Sequence, residues 1–336
     1  MTNILIPEGY KSLLSVQQTE KAIKYVKDTF ERTFADSMGL LRISAPLFVP
    51  SDSGLNDNLS GVERPVSFGV RSIPGSEMEI VHSLAKWKRR ALRDYGFGMH
   101  EGLYTDMNAI RRDEDMDNLH SIYVDQWDWE KVISPEDRSR AYLENTVRII
   151  VRVLAATELA VCAMFPALEP VIDPTVTFIT SQALEDRYPG LTPKQREDAV
   201  CREYGTVFIE NIGGKLKSGA PHDGRAPDYD DWELNGDIIL WNPVLERAFE
   251  ISSMGIRVDE KAMLRQLELS GHNERKQLPF HRELLAGKLP LSIGGGLGQS
   301  RICMLLLKKC HIGEVQVSNW DSETLRVCRE KGVFLL

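Results

Sequence analysis

Two strand-like runs, GLYTDMNAIRR and HSIYVDQWDWEKV, are separated only by the acidic turn RDEDMDN. Three more, TVFIENI, GDIILWNP and RAFEISSMGIRV, follow one another between residues 206 and 258 with no helical pattern among them. Parallel neighbours need a crossover of about a dozen residues or more, usually a helix, whereas strands joined without one pair antiparallel. Helices inserted between groups of strands, rather than after each one, therefore predict an α+β fold built on an antiparallel sheet flanked by helices.

The remaining periodicities fill in this frame. Ala22, Val26, Phe30 and Phe34 recur every fourth residue, which predicts an amphipathic helix over 17–38 that ends near Gly39. LLRISAPLFV reads as a strand interrupted by Pro46, and 66–71 with 77–82 as two strands around the turn IPGS. SLAKWKRRALRDYG is a short basic helix stopped by Gly96. A long helix is expected from Pro135 to about Phe165, and another over 192–204 with Thr192 as N-cap and Pro193 at its first position. A strand at 175–180 and helices near 259–270 and 279–287 complete the reading. Residues 213–235 form the one long irregular stretch, of the kind that often carries function.

Composition excludes several classes. The balance of 41 basic against 49 acidic residues gives −8, which disfavours broad nucleic-acid binding. No apolar run is long enough to cross a membrane, and MTNILIPEGYKS lacks the features of a secretory signal, so a cytoplasmic protein is expected. The five cysteines show no CxxC spacing, which fits reduced thiols rather than disulfides or zinc.

The stretch SIGGGLGQSR, residues 292–301, places four glycines ahead of Arg301. It has no Lys-Ser or Lys-Thr closure for a P-loop, and the dinucleotide fingerprint begun at Gly294 meets glutamine at 299. Two readings remain open on the residues alone. One is a tight turn between strand and helix; the other is a flat backbone floor for a nucleotide, with Arg301 as a phosphate fork. VDQWDWE, read as a strand, puts Gln126 and Asp128 on one face and Trp127 and Trp129 on the other, which suggests a polar binding floor. Asp237 and Glu250 stand at opposite strand ends of a predicted hairpin and suit Mg²⁺, although a solvated acidic hairpin reads equally well. Asp57 fits an Asx-turn or a base in a polar loop. Arg111 and Arg301, on different elements, are placed to converge on one phosphate group.

The chain resembles the ammonia-dependent asparagine synthetases (aspartate–ammonia ligases), whose fold is similar to the catalytic domain of class II aminoacyl-tRNA synthetases. The matching phrases include DNLSG at 57–61, VHSLAKWKR at 81–89, EGLYTDM at 101–107 and YVDQWDWE at 123–130. GGKL, RAPDYDDW, LNGDI, WNPVLE, SSMGIRV and IGGGLGQSR continue the match in family order. It runs from about residue 16 to 320, leaving the first fifteen or so residues as a peripheral extension of one catalytic domain spanning 1–336.

The resemblance implies a two-step ligase that uses L-aspartate, ATP and ammonia, passes through a β-aspartyl adenylate and releases AMP and pyrophosphate. It implies Asp57, Arg111 and Gln126 as catalytic residues, with Asp57 binding and deprotonating ammonium. Ser83, Lys88, Asp128, Ser252, Ser253 and Arg257 would bind the amino acid. Arg111, Asp230, Gly294, Gly295, Gly296, Gly298 and Arg301 would bind the nucleotide, and Asp237 and Glu250 would carry Mg²⁺. Arg112-Asp113-Glu114 also fits the Arg-x-Glu pattern of the synthetases, and the family match favours Arg111. A homodimer is implied as well, with LRISAPLFV and the preceding helix as its contact, and neither nucleic acid nor membrane as a partner. The chain starts Met1-Thr2, without the N-terminal cysteine of one common glutaminase, so free ammonia is the expected donor. The alternative is a synthetase-like enzyme activating an amino acid for tRNA or a protein lysine; a catalytically dead relative is disfavoured because Arg111, Arg301, Asp237 and Glu250 are all present.

Overall fold

The computed structural model describes residues 4–57 and 63–336. A segment leading from residue 4 enters α1 (Val16–Met38), followed by β1 (Leu40–Arg42), β2 (Phe48–Pro50), β3 (Ser67–Val70), β4 (Ile73–Ile80), α2 (Ala85–Asp94), β5 (Gly102–Ile110) and β6 (Tyr123–Val132). Then come α3 (Arg140–Met164), β7 (Thr177–Thr180), α4 (Ser181–Arg187), α5 (Pro193–Tyr204), β8 (Thr206–Glu210) and β9 (Asp230–Asn242). The chain closes with β10 (Arg247–Arg257), α6 (Glu260–Ser270), α7 (Pro279–Leu285), β11 (Ser292–Gly298), α8 (Gln299–Leu306) and α9 (Ser322–Glu330).

The large sheet has the order β1-β5-β6-β11-β10-β9-β8-β7. Its six central strands are antiparallel, as the missing crossovers predict, but β1 runs parallel to β5 and β7 parallel to β8. Helices α4 and α5 supply the crossover between β7 and β8, and the small sheet with α2 intervenes between β1 and β5. Pro46 does more than interrupt one strand: β1 belongs to the large sheet and β2 to a separate sheet of order β2-β4-β3. In that sheet Val70 pairs with Ile73 and Gly69 with Glu77. The stretch IPGS is thus an outward loop of β4 rather than the turn between strands, with Gly75 at φ 83°.

Capping places the helix starts. Thr192 caps α5 in a reciprocal box with Gln195, with Pro193 at the first position, as read from the sequence. Helix α3 starts at Arg140 instead of Pro135, because Ser139 accepts from the Tyr142 amide and supplies the cap.

One face of the sheet is closed by α1, α3 and α8. Trp127 and Trp129 point into it, with ring centroids 4.7 Å from Phe30 and 6.0 Å from Phe34 respectively. All four rings are almost fully buried, each burial being worth about 1.5–3 kcal/mol or more. The segment before α1 is not peripheral: Leu14 lies in this core, and Ile4, Ile6 and Tyr10 pack against it. On the opposite face Leu84, Met107, Val258, Met263 and Phe280 gather under α2, α6 and α7, leaving the sheet open beside β6, β10 and β11. No helix among the described residues is long and apolar enough to cross a membrane.

Candidate active site

Alternation on β6 sets the floor of the open face. With Trp127 and Trp129 turned into the core, Gln126, Asp128 and Glu130 stand on the other side. Above them lies a cavity of ≈ 340 Å³. Of the residues singled out in the sequence, Asp57, Ser83, Lys88, Arg111, Gln126, Asp128, Asp230 and Glu250 line it, together with Ser252, Ser253, Arg257, Gly295, Gly296, Gly298 and Arg301. Gly294 and Asp237 lie outside its wall. Arg111 forms part of the wall and Arg112 does not, while the neighbouring Asp113 is taken by Arg64, whose Nε is 3.0 Å away.

At one end sits a buried network of charges. Arg257 donates to both oxygens of Glu130, at 2.7 Å from Nη2 and 2.9 Å from Nε, and its Nη1 donates to Asp230. Two of its five N–H groups meet no hydrogen-bond acceptor among the described residues. Lys88 donates to Asp128, to the Trp129 carbonyl at 2.9 Å and to the Gly295 carbonyl at 3.2 Å. All three ammonium protons are thereby used within the protein. Lys88, expected to bind the amino acid, lines the cavity and also holds Asp128 and ties β6 to β11. Burial pulls the Lys88 ammonium below its ordinary range against the attraction of Asp128, and pushes the Asp128 carboxyl up. Burial also opposes ionisation of Glu130, but Arg257 outweighs it and keeps that carboxyl low. Asp230, expected beside the nucleotide, belongs to this network through Arg257.

The glycines of β11 answer to the same side chains. A Cβ on Gly294 would meet Glu130 and lie 2.6 Å from both Arg257 Nη2 and the Trp129 carbonyl; one on Gly296 would lie 2.8 Å from Gln126 Cδ. A Cβ on Gly295 would lie 2.5 Å from Met254 Cβ and 2.8 Å from the Ser253 carbonyl, so three of the four glycines make room for protein groups, and not only for a ligand.

At the other end are four arginine–carboxylate contacts. Arg111 lies 3.9 Å from Glu114, and Arg301 donates to the Glu250 carbonyl at 3.1 Å with the Glu250 carboxylate 3.8 Å away. Arg225 binds Asp237 at 2.6 Å and stands 3.9 Å from Asp230. Asp237, opposite Ser253, and Glu250, opposite Ile239, sit within the strands of the β9–β10 hairpin rather than at its ends. Burial and Glu250 push Asp237 up to about 6 despite Arg225. Burial acts the same way on Glu250, but Arg301 and Lys194 hold it below its ordinary value. Among the described residues, three buried donors on this cavity wall find no hydrogen-bond partner: Arg111 Nε, Arg225 Nε and Ser252 Oγ. Unmet donors of this kind are costly unless a ligand meets them.

Asp57 is 2% exposed and joins the wall, its carbonyl oxygen 3.1 Å from His82 Nδ1. The rest of the DNLSG phrase, 58–61, lies outside the described residues. The irregular stretch ends at Tyr229, ahead of β9 at Asp230, six residues earlier than its sequence suggests. It is anchored by Asp228, whose Oδ2 meets His281 at 2.9 Å and both Lys86 and Arg275 at 3.2 Å. Sequence reading missed Glu130, Arg225 and this anchor. Glu130 continues the alternation that picked out Gln126 and Asp128, so the signal was there; Arg225 sits in a loop without periodicity and gave none.

The mostly antiparallel sheet, with Arg111 just past β5 and Arg301 at the start of the helix after β11, is the catalytic fold of class II aminoacyl-tRNA synthetases. Asparaginyl-tRNA synthetase from Entamoeba histolytica superposes with a TM-score of 0.63 at 16% identity, covering 90% of this chain and 67% of that one. That from Pyrococcus horikoshii, complexed with asparaginyl-adenylate, also gives 0.63, at 14% identity over 89% and 68%. The chain belongs to the aspartate–ammonia ligase family, which matches residues 17–332. Aspartate–ammonia ligases from Clostridium perfringens and Limosilactobacillus fermentum are 59% and 56% identical, the first over the full length of both chains, the second over 99% of this one and 100% of its own.

Proposed function

We propose that the chain makes L-asparagine from L-aspartate, ammonia and ATP through a β-aspartyl adenylate. A β-carboxylate oxygen attacks the α-phosphorus and pyrophosphate leaves. Ammonia then attacks the acyl carbon, and AMP leaves. The observation that carries this reading is the single cavity joining the Arg257–Glu130–Asp230 network to Arg111, Arg225 and Arg301, with three buried donors awaiting an acceptor. The two free N–H groups of Arg257 suit the carboxylate of aspartate, and Asp128 suits its ammonium. Arg111 and Arg301 would neutralise the phosphate charge that grows during transfer.

Asp57 and Gln126 line the same cavity, and a carboxylate at Asp57 would bind ammonium and take the proton it must lose before attack. Asp237 and Glu250 would hold Mg²⁺ as two carboxylates, a donor set that suits the ion when phosphate oxygens and water complete its shell. The raised Asp237 carboxyl fits, since a cation would relieve its repulsion from Glu250, although Arg225 leaves it only one oxygen. When bound, the metal screens the triphosphate. A homodimer is supported by the apolar side chains Leu41, Leu47 and Phe48, which are 62%, 49% and 45% exposed along one segment.

Purified protein given aspartate, ATP and ammonium should release asparagine, AMP and pyrophosphate in equal amounts. Release of ADP and phosphate, or transfer of the amino acid to tRNA with no asparagine formed, would overturn the reading.

A further inference from the structure

Two polypeptide stretches wall the cavity beside Arg111: the loop around Leu119, His120 and Ser121, and the turn holding Ile312 and Gln316. Neither belongs to a strand or α-helix, so local backbone bonds and side-chain bonds hold them in place. The side-chain bonds converge on the chain before α1. Asn118 is 1% exposed; its Oδ1 accepts from the Leu5 amide at 2.7 Å, and its Nδ2 donates to the Leu5 carbonyl at 2.8 Å. The same Nδ2 donates to the Cys310 carbonyl at 2.7 Å, and the Ile312 amide donates to the Asn118 carbonyl at 2.8 Å. One residue thus fastens both stretches to each other and to the N-terminal segment.

A second grip lies a few residues on. The Tyr10 hydroxyl donates to the Glu314 carboxylate, at 2.9 and 3.0 Å from its two oxygens, and accepts from the Cys310 amide at 3.3 Å. Glu314 also accepts from the Cys310 amide at 2.9 Å, so the turn carrying Ile312 is closed on a charged acceptor that Tyr10 orients. Lys309 completes the grip with bonds of 2.6 Å to Ser12 and 2.9 Å to Thr19.

We propose that residues 4–14 act as a strap that sets the nucleotide end of the cavity, with Asn118 and Tyr10 as positioning residues that never touch substrate. The inference rests on the ligase reading above for the identity of the ligand at that end. Loop placement errors near 1 Å are enough to cost about a hundredfold in activity, so slack at these bonds falls on the nucleotide. The amino-acid end is held by β6, β10 and β11 instead, and stays as it is.

The test uses the full chain, with ATP binding measured by calorimetry in the absence of ammonia and the aspartate KM taken from initial rates. Asn118→Ala and Tyr10→Phe should each weaken ATP binding by about tenfold while the aspartate KM stays within about twofold. Tyr10→Phe keeps the packed ring and carries the test if Asn118→Ala does not fold. ATP binding unchanged in Tyr10→Phe, or ATP and aspartate weakening together, overturns the strap. Failure of the unaltered protein to bind ATP would bring down the ligase reading and the strap with it, which separates the two failures.

Discussion

Replacing Gly294 and Gly296 by alanine, one at a time, separates what the glycine strand does for the protein from what it does for the reaction. At Gly294 the new methyl would stand 2.6 Å from the Trp129 carbonyl and from Arg257 Nη2, and against Glu130. The carbonyl belongs to a paired central strand and cannot retreat, so the Glu130–Arg257 pair must open. Overpacking costs about 1–3 kcal/mol, and disrupting a buried pair about 3–5 kcal/mol. The two overlap, which gives a loss of at least about 3 kcal/mol from a total of about 5–15. At Gly296 the methyl meets the end of Gln126, with Cδ at 2.8 Å, and that half-buried side chain can swing into the cavity for about 0.5–1.5 kcal/mol. Urea unfolding should therefore show a large loss for Gly294→Ala and a loss of no more than about 1.5 kcal/mol for Gly296→Ala. Asparagine formation should fall sharply in both. Equal stability losses at the two positions, or none at Gly294, would refute the claim that side chains crossing β11 require these glycines.

Two further outcomes follow from the site. Asp57→Ala should abolish asparagine formation while aspartate-dependent pyrophosphate exchange partly survives; equal loss of both steps would remove its role toward ammonia. Asp237, pushed to about 6 from an ordinary 3.8, binds its proton more tightly folded than unfolded. Without metal, its contribution to stability therefore falls as pH rises from about 4 to 6, by about 3 kcal/mol in full. Asp237→Asn should flatten that fall in urea unfolding curves, and Mg²⁺ should offset it in the unaltered protein; a slope unchanged by the substitution would contradict the assignment.

Legibility in the sequence followed periodicity and steric punctuation. The central antiparallel strands, the helix start at Thr192 and the two faces of β6 were all readable, because alternation and capping are local. The parallel edges β1 and β7 were not, since nothing in LLR or TFIT records which neighbour it joins. Pro46 and Pro74 were visible as interruptions, but whether each one ends a strand, changes sheet or loops out depends on distant partners. In the site, Gln126 and Asp128 were found on β6 while Glu130 on the same strand was passed over, and Arg225 and Asp228, on a loop without periodicity, gave no signal. Lys88 shows the converse: its place was legible, but not that three acceptors inside the protein occupy it. The chain before α1 read as a peripheral extension because Tyr10 and Leu5 find their partners about 300 and 113 residues away.

Activation of aspartate as an acyl adenylate at the Arg111 and Arg301 end of the cavity would leave one of its β-carboxylate oxygens on the nucleotide. Aspartate labelled with ¹⁸O in its β-carboxylate, given ATP and ammonium, tests it directly by mass spectrometry of the nucleotide product. One labelled oxygen should appear in the phosphate of AMP and one should remain in asparagine. Label in inorganic phosphate, with ADP as the nucleotide, would contradict this activation.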